Sequence, residues 1–336
     1  MNRAQFKKRN SSKKRTILYT IGIIFCSLII LASTYGVYLT KKAEVAALTS
    51  YEELEERTNG SDLRDSKVEP LSDNVSILLI GIDDSADRGF GDSGSRSDSL
   101  MVATLNNADN SVKLVSIPRD TYTYIPEVGY EDKITHAHAF GGTYAAIESV
   151  ESLLDIPIDY YVKMNFNAFI DVVDALNGVV VDVPYDYLEL DENDQRTIQL
   201  IKGRQLLNGQ EALALARTRK LDNDIERGKR QQMILESLIS RAASAQSFSR
   251  YGDVIEALGD NIRTDLKYED MIAILKYING GIPEIETISL AGSDDTSQGV
   301  YYWQLDQDAL EETIRDLQLH LELVESPLTF DETVND

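Results

Sequence analysis

The chain has 336 residues, 43% of them hydrophobic, and its only cysteine, Cys26, lies in an apolar run. This composition allows one large domain or two small ones plus a further segment, and it excludes a disulfide framework and a thiolate metal site. Seven of the 33 Lys and Arg residues lie in residues 1–15 and none in 16–39, so the remaining 297 residues carry 26 basic and 56 acidic side chains, a net charge of −30 that disfavours nucleic-acid binding.

Residues 17–39 form an uncharged run rich in Ile, Leu and Val. A helix of this length crosses a hydrocarbon core about 30 Å thick, and the basic residues 1–16 before it predict a cytoplasmic N-terminus. A cleavable signal peptide is the alternative. The length of the run and the lack of a convincing cleavage site favour an uncleaved single-pass anchor in the cell membrane, with the rest of the chain outside the cell.

Beyond the anchor, residues 40–73 are polar and Glu-rich and are interpreted as a juxtamembrane stalk. Short apolar runs predict strands at 75–82, 99–105, 112–117, 158–164, 179–183 and 285–290. Helical periodicity predicts helices at 143–154, 166–176, 209–219, 226–243, 268–278 and 305–321. The alternation predicts a layered α/β domain, helices on both sides of a central mixed sheet, over 74–245 with a C-terminal α/β portion at 246–324 and a flexible tail at 325–336.

A first candidate site lies where the first strand gives way to a Gly/Ser loop. Asp83 follows that strand, and Asp98 opens the next one. Mg²⁺ binds one or two carboxylates of this kind together with substrate phosphates. The alternative is a solvated acidic loop.

A second candidate site is basic. Residues 217–230 contain six basic side chains in fourteen, in a region that is otherwise strongly acidic. Arginine matches phosphate with a planar fork of donors, although basic residues also favour the end of a helix for electrostatic reasons. Arg119, at the end of the third predicted strand, would reach the same sheet edge as Asp83 and Asp98 if the strands are neighbours.

His136 and His138 are two residues apart, but without a third ligand nearby a structural or hydrogen-bonding role is favoured over a zinc site. The sequence has no Gly-x-Ser-x-Gly elbow, Walker loop or His-Glu-x-x-His motif, which disfavours a serine hydrolase. Carboxylates and arginines remain, and these residues suit the handling of a phosphate ester.

Taken in order, these segments resemble the LytR-CpsA-Psr family of cell-wall ligases. The matching segments are ILLIGIDD (77–84), SRSDSLMVATLN (95–106), VKLVSIPRDTY (112–122), KITHAHAFGG (133–142), LLDIPIDYYVKMNF (153–166), VVDALNGVVVDV (172–183), LNGQEALALARTRK (207–220) and DIERGKRQQ (224–232). Their order and spacing make the resemblance specific over about residues 75–245.

The resemblance implies a role for each matching residue. Asp83 and Asp98 would hold Mg²⁺ (or Mn²⁺) against a pyrophosphate, with Arg119 in the catalytic group. The expected phosphate contacts are Arg96, Arg119, Arg217, Arg219, Arg227 and Gln231. A polyprenyl tail is expected in an apolar tunnel between sheet and helices.

The implied activity is a phosphotransferase that attaches an undecaprenyl-pyrophosphate-linked glycopolymer, such as teichoic acid or capsule, to peptidoglycan. The sequence leaves the general base open among Asp83, Asp98, Asp120 and Asp224. A pyrophosphatase acting on the same donor, a non-catalytic wall-binding module and a transcriptional attenuator are the alternative functions.

Overall fold

The structure is a computed structural model that describes residues 3–82, 94–190, 195–218, 224–242, 251–274, 283–297 and 299–325. The predicted tail therefore lies outside the described residues from position 326 on. Residues 83–93, which include Asp83 and most of the predicted Gly/Ser loop, also lie outside the described residues. Side chains of residues 3–24 are also outside the description.

A six-stranded mixed sheet forms the centre of the domain. Its strands are β1 (Val75–Ile82), β2 (Ser97–Asn106), β3 (Ser111–Ile117), β6 (Tyr160–Asn165), β11 (Ile262–Thr264) and β12 (Glu284–Ser289), in the order β11-β6-β1-β2-β3-β12. The β1–β2, β2–β3 and β6–β11 pairs are antiparallel, whereas β1–β6 and β3–β12 are parallel. A mixed α/β architecture with a central mixed sheet is thereby confirmed.

Eight helices are described. They are α1 (Arg3–Ser50), α2 (Ile134–Leu154), α3 (Phe166–Ala175), α4 (Gly209–Arg217), α5 (Asp224–Ala242), α6 (Tyr251–Asn261), α7 (Tyr268–Ile274) and α8 (Gln307–His320). The backbone of α2 breaks at Gly141 and Gly142, which have non-helical angles. The predicted helix at 143–154 is therefore the second part of a longer, kinked segment.

Strand β1 shows how the helices cover both faces of the sheet. Successive side chains of a strand point to opposite faces. Leu78, Ile80 and Ile82 pack in one core with α2 and α8, whereas Ile77 packs in a second core to which α5 and α7 contribute. Both faces of β1 are apolar for this reason, and the strand reads as a continuous apolar run.

Four two-stranded elements complete the domain as described. The remaining strands are β4 (Tyr122–Ile125), β5 (Tyr130–Lys133), β7 (Val179–Val183), β8 (Tyr187–Leu190), β9 (Arg196–Leu200), β10 (Gly203–Leu207), β13 (Gly292–Asp295) and β14 (Tyr302–Leu305). They pair antiparallel as β4–β5, β7–β10, β8–β9 and β13–β14. Strands β7, β9 and β10 form a third core with α4 and α5.

The end of α1 packs on the domain. Lys42 Nζ lies 2.6 Å from Glu256 Oε2 of α6. Gly259 approaches α1 so closely that a Cβ added there would lie 2.6 Å from Ala46 Cβ. A larger side chain at position 259 would therefore separate the two helices.

Residues 51–73, the greater part of the predicted stalk, also contact the domain. The guanidinium of Arg57 donates to both carboxylate oxygens of buried Glu151, at 3.0 and 3.2 Å. Ser61 Oγ donates to the same carboxylate at 2.6 Å, and Arg64 donates to Asp159 at 2.7 and 2.9 Å. Each of these buried or largely buried charges has a partner of the opposite sign. Such pairing lowers the free-energy cost of removing a charge from water.

Helix α1 covers the whole of the predicted anchor at 17–39. Across the part of the chain that is described, the helices do not reach the combined length and apolarity that crossing a membrane requires.

Candidate active site

The pairing of the central strands brings Asp98 and Arg119 together. Ser97 on β2 lies opposite Ile82 at the end of β1, and Leu100 lies opposite Ile117 at the end of β3. Pro118 follows β3 directly, and the chain then presents Arg119 beside Asp98. The Arg119 Nη1 donates a hydrogen bond to Asp98 Oδ1. Arg119 Nε is buried and has no hydrogen-bond partner among the described residues.

Helix α4 delivers Arg217 to the same region. The helix begins with a capping box in which Asn208 accepts from the Glu211 N–H and Glu211 accepts from the Asn208 N–H. It ends at Arg217, whose guanidinium carbon lies 4.5 Å from the centre of the Phe166 ring. This cation–π contact holds the guanidinium over the start of α3.

Helix α5 contributes Arg227 and Gln231. Gly228 lets the helix approach β3, because a Cβ there would lie 2.6 Å from Ser116 Oγ. Gln231 accepts from Ser99 Oγ at 2.9 Å and donates to the Ala216 carbonyl at 3.2 Å. Gln231 thereby joins β2, α4 and α5 at one point.

Arg230, which directly precedes Gln231 on α5, binds backbone carbonyls at the end of α4. It is buried, and its guanidinium donates to the carbonyl oxygens of Leu215 at 3.1 Å and Thr218 at 2.6 Å. These two bonds satisfy carbonyl groups at the C-terminal end of α4, which have no partner within the helix. The cationic side chain also favours that end of the helix electrostatically.

A cavity of about 430 Å³ opens between the sheet and helices α3, α4 and α5. Its lining includes the charged side chains of Asp98, Arg119, Arg217 and Arg227 and the polar side chains of Ser99, Asn165 and Gln231. Much of the remaining wall is apolar and includes Leu79, Met101, Val162, Phe169, Val172, Leu213, Ile234, Leu235 and Leu238. The cavity therefore combines a cationic group of side chains with a hydrocarbon-like wall. We call Asp98, Arg119, Arg217, Arg227 and Gln231 the cavity mouth.

The other predicted site residues are placed differently. Arg96 is exposed and does not line the cavity. Asp83 and Arg219 lie outside the described residues. Of the four candidate bases, Asp98 lines the cavity, whereas Asp120 is buried and accepts a hydrogen bond from Lys133 Nζ at 2.8 Å. Asp83 and the side chain of Asp224 are outside the description.

The side chains of His136 and His138 each lie within hydrogen-bonding distance of an oxygen atom. His138 is buried, and its Nδ1 lies 2.9 Å from the Ser95 carbonyl oxygen. His136 Nδ1 lies 2.8 Å from Asp132 Oδ2. Within the described ranges, no three or more His, Cys, Asp or Glu side chains are grouped so that they could hold a metal ion.

The family model for the LytR_cpsA_psr family matches residues 37–319 of this chain. The chain belongs to the LytR-CpsA-Psr family. Its relatives include TagT of Bacillus subtilis, named a polyisoprenyl-teichoic acid–peptidoglycan teichoic acid transferase, which is 37% identical over 94% of this chain and 98% of TagT. TagU of the same organism, named as the same kind of transferase, is 35% identical over 94% of this chain and 99% of TagU.

Solved structures of LytR-CpsA-Psr proteins share the fold. TagT bound to LI-WTA has a TM-score of 0.70 with this chain at 37% identity, covering 81% of this chain and 100% of that one. TagT with bound octaprenyl pyrophosphate lipid has a TM-score of 0.66 at 36% identity, with the same coverage.

Sequence reasoning missed two contributors to this site. The sequence pattern predicts Phe166 only as the first residue of a helix and Ser99 only as part of a strand. The spacing of a sequence motif does not show that Phe166 lies beneath Arg217 or that Ser99 bonds to Gln231, because both contacts join segments more than 50 residues apart.

Proposed function

We propose that this protein is a Mg²⁺-dependent phosphotransferase that transfers a glycopolymer from a polyprenyl-pyrophosphate carrier to peptidoglycan. One observation carries the proposal: Asp98 and three arginines line a cavity whose remaining wall is largely apolar. Such a cavity suits a ligand with a diphosphate head and a hydrocarbon tail. Arginines pair with phosphate oxygens, and burial of the tail contributes about 0.8 kcal/mol for each CH₂ group.

Relatives of this chain support the proposal. TagT and TagU are named as transferases that use a polyisoprenyl-linked teichoic acid and peptidoglycan, and they match this chain over nearly its full length. The ligand in the structure of TagT with octaprenyl pyrophosphate has a pyrophosphate group and a prenyl chain. These two parts suit the arginines and the apolar wall of the cavity in this chain. We extend both the donor class and the acceptor to this chain.

In the proposed reaction, a hydroxyl oxygen of the acceptor forms a bond to the sugar-side phosphorus. The bond from that phosphorus to the bridging oxygen breaks, and polyprenyl phosphate leaves with the bridging oxygen. Arg119, Arg217 and Arg227 stabilise the charge on the phosphate oxygens during this exchange. The hydroxyl proton passes to one of the four candidate carboxylates, Asp83, Asp98, Asp120 or Asp224.

The residues at the cavity mouth fit a hard divalent cation. Asp98 supplies a carboxylate beside the positions expected for the phosphate oxygens, and Mg²⁺ commonly uses one or two carboxylates together with substrate phosphates. Asp98 would hold the ion, with Asp83 as the second ligand implied by the family. When bound, the ion would neutralise charge on the pyrophosphate.

We also propose that residues 17–39 anchor the protein in the cell membrane, with the N-terminus in the cytoplasm. Exposed apolar side chains on α1 support this position, among them Phe25, Ile29, Ile30 and Val37. Resistance of the full-length protein to alkaline carbonate extraction, lost in an Ile29→Lys/Ile30→Lys variant, is the expected result. Extraction of the wild-type protein would contradict the anchor.

The transferase is tested with the full-length protein, a synthetic polyprenyl-pyrophosphate oligosaccharide, peptidoglycan fragments and Mg²⁺. We expect release of polyprenyl phosphate and appearance of glycan on the acceptor, both abolished by a chelator and by Arg119→Ala. Arg204→Ala, at an exposed arginine outside the cavity, is the matched control. Release without acceptor labelling would show a pyrophosphatase, whereas tight donor binding without release would show a binding module.

A further inference from the structure

A tyrosine-rich surface follows the candidate active site along the chain. In the β4–β5 hairpin, Tyr122 lies opposite Lys133 and Tyr124 lies opposite Glu131. Directly opposite residues of an antiparallel pair, and residues two apart in one strand, share a face. These four side chains therefore lie on one face of the hairpin.

The β13–β14 hairpin extends this surface. The rings of Tyr122 and Tyr302 meet edge to face, with centroids 4.9 Å apart. Lys133 Nζ lies 5.7 Å from the Tyr301 ring centre and 5.6 Å from that of Tyr302. Tyr301 also donates from its hydroxyl to Asp294 Oδ1 at 2.8 Å. We call Tyr122, Tyr124, Glu131, Lys133, Tyr301 and Tyr302 the aromatic face.

Two consecutive residues, Arg119 and Asp120, connect the cavity mouth to the aromatic face. Arg119 donates to Asp98 in the cavity lining, while the next residue, Asp120, accepts from Lys133. The Asp120 carbonyl also accepts from the Trp303 N–H at 2.8 Å, which fixes β14 beside this segment. A chain molecule lying on the aromatic face would therefore end beside the phosphate-binding arginines.

We propose that the aromatic face binds the acceptor, a saccharide chain of N-acetylated amino sugars. Pyranose rings present C–H faces that stack on aromatic rings, and their hydroxyls bond to tyrosine hydroxyls and carboxylates. Tyrosine supplies a ring and a polar group in one side chain. Tyr124 has 46% of its surface exposed, which leaves its ring accessible to such a ligand. The inference rests on the proposed transferase function, because it assigns the second substrate of that reaction.

Charge favours the acceptor over the donor as the occupant. The aromatic face carries the carboxylate of Glu131, and the Asp294 carboxylate accepts from the hydroxyl of Tyr301. The one cation of the face, Lys133, is paired with Asp120. Carboxylates repel a pyrophosphate-linked anionic polymer but accept hydrogen bonds from uncharged sugar hydroxyls. The arginines are instead concentrated at the cavity mouth, where the donor pyrophosphate is proposed to bind.

The test uses the full-length protein and two variants of exposed residues, Tyr124→Ala and Glu131→Lys. Binding of an N-acetylglucosamine oligomer is measured by calorimetry, and donor binding is measured separately. We expect Tyr124→Ala to weaken oligomer binding about tenfold and to raise the acceptor KM similarly, with the donor Kd unchanged. Tyr124→Phe should retain most of the binding, and Leu188→Ala, at an exposed apolar residue of β8, is the matched control.

Glu131→Lys separates the two possible occupants. Weaker oligomer binding in this variant supports the acceptor site, whereas tighter donor binding would assign the face to the anionic donor and overturn the proposal. Unchanged oligomer binding in Tyr124→Ala would overturn it as well. Oligomer binding by a wild-type protein that transfers no glycan would refute the transferase function while leaving the saccharide site in place.

Discussion

The guanidinium of Arg119 donates a hydrogen bond to the carboxylate of Asp98, joining the segment after β3 to the start of β2. Both side chains are partly exposed, with 19% and 29% of their surfaces accessible. The pair lies at the cavity mouth and not in the hydrophobic core. Its contribution to folding is therefore small, and its two charges are available to a ligand.

Arg119→Lys tests whether catalysis requires the planar guanidinium of Arg119 or only its positive charge. Lysine keeps the positive charge but cannot bond to Asp98 and a phosphate in the same planar arrangement. We expect kcat/KM for polyprenyl phosphate release to fall about 10²–10³-fold, with the melting temperature close to that of the wild type. Arg204→Lys should retain activity. Wild-type activity in Arg119→Lys would show that this guanidinium does not contact the reacting phosphates.

Val172→Trp tests the apolar part of the cavity. Val172 lies on α3 and lines the cavity, so an indole there would occupy space assigned to the polyprenyl tail. We expect the Kd for a long-chain donor to rise at least about tenfold, while a short-chain pyrophosphate analogue is affected much less. Leu188→Trp places the same side chain on an exposed β8 position as a control. Equal loss of both ligands would indicate a general distortion of the site.

Much of the central architecture was predictable because both faces of the sheet are covered. The apolar run at 75–82 matches β1 of the central sheet at both ends, and outside that sheet the predicted strand at 179–183 matches β7. The helices around the site were also predicted within two residues at their starts, at 166 for α3 and 209 for α4. These elements have strong apolar periodicity, which is the most reliable signal in a sequence.

The aromatic face could not be predicted in the same way. Strands β4 and β5 have four residues each, and β5 (Tyr130–Lys133) contains two acidic residues and a lysine. Strand β4 contacts β14, which lies more than 170 residues further along the chain, and this contact leaves no signal in the local sequence. Likewise, the motif residues Asp98 and Arg119 were recognisable, but their direct contact follows from strand register, which the sequence did not provide.

Asp265→Asn is expected to stabilise the protein at high pH. Burial raises the pKa of Asp265 to about 6 from its ordinary 3.8, although its carboxylate accepts from the Tyr161 N–H at 2.9 Å. Between pH 3.8 and about pH 6, Asp265 therefore keeps its proton in the folded protein and loses it in the unfolded chain. The ionised carboxylate therefore costs up to about 3 kcal/mol above pH 6.

Asparagine removes the charge at position 265 and retains an acceptor for the Tyr161 N–H. We expect the variant to exceed the wild type by about 1–3 kcal/mol in free energy of unfolding at pH 8. This difference should shrink as the pH falls through 6 and vanish below about pH 4. Urea unfolding across this range gives the measurement, and a variant less stable than the wild type at pH 8 would contradict the expectation.

For His320 we expect the opposite dependence of folding stability on pH. It ends α8 and lies between two strands, with Nδ1 2.8 Å from Thr104 Oγ1 and Nε2 2.9 Å from Ser111 Oγ. Burial lowers its pKa, and so does the charge of Lys113, while the nearby acidic residues Asp109, Glu286 and Asp316 act in the other direction. The unfolded chain therefore takes up a proton near pH 6.5 that the folded protein does not, and stability falls as the pH drops below that value.

The comparison of wild type with His320→Gln isolates this contribution from the other two histidines. At pH 7.5 the variant should be less stable by about 1–3 kcal/mol, because the buried hydroxyl of Thr104 and the half-buried hydroxyl of Ser111 lose their partner. On lowering the pH to 5, the wild type should lose more stability than the variant, so that the gap between them narrows. A gap that widens toward pH 5 would mean that the folded protein stabilises the protonated imidazole, and the assigned direction of the pKa shift would then be wrong.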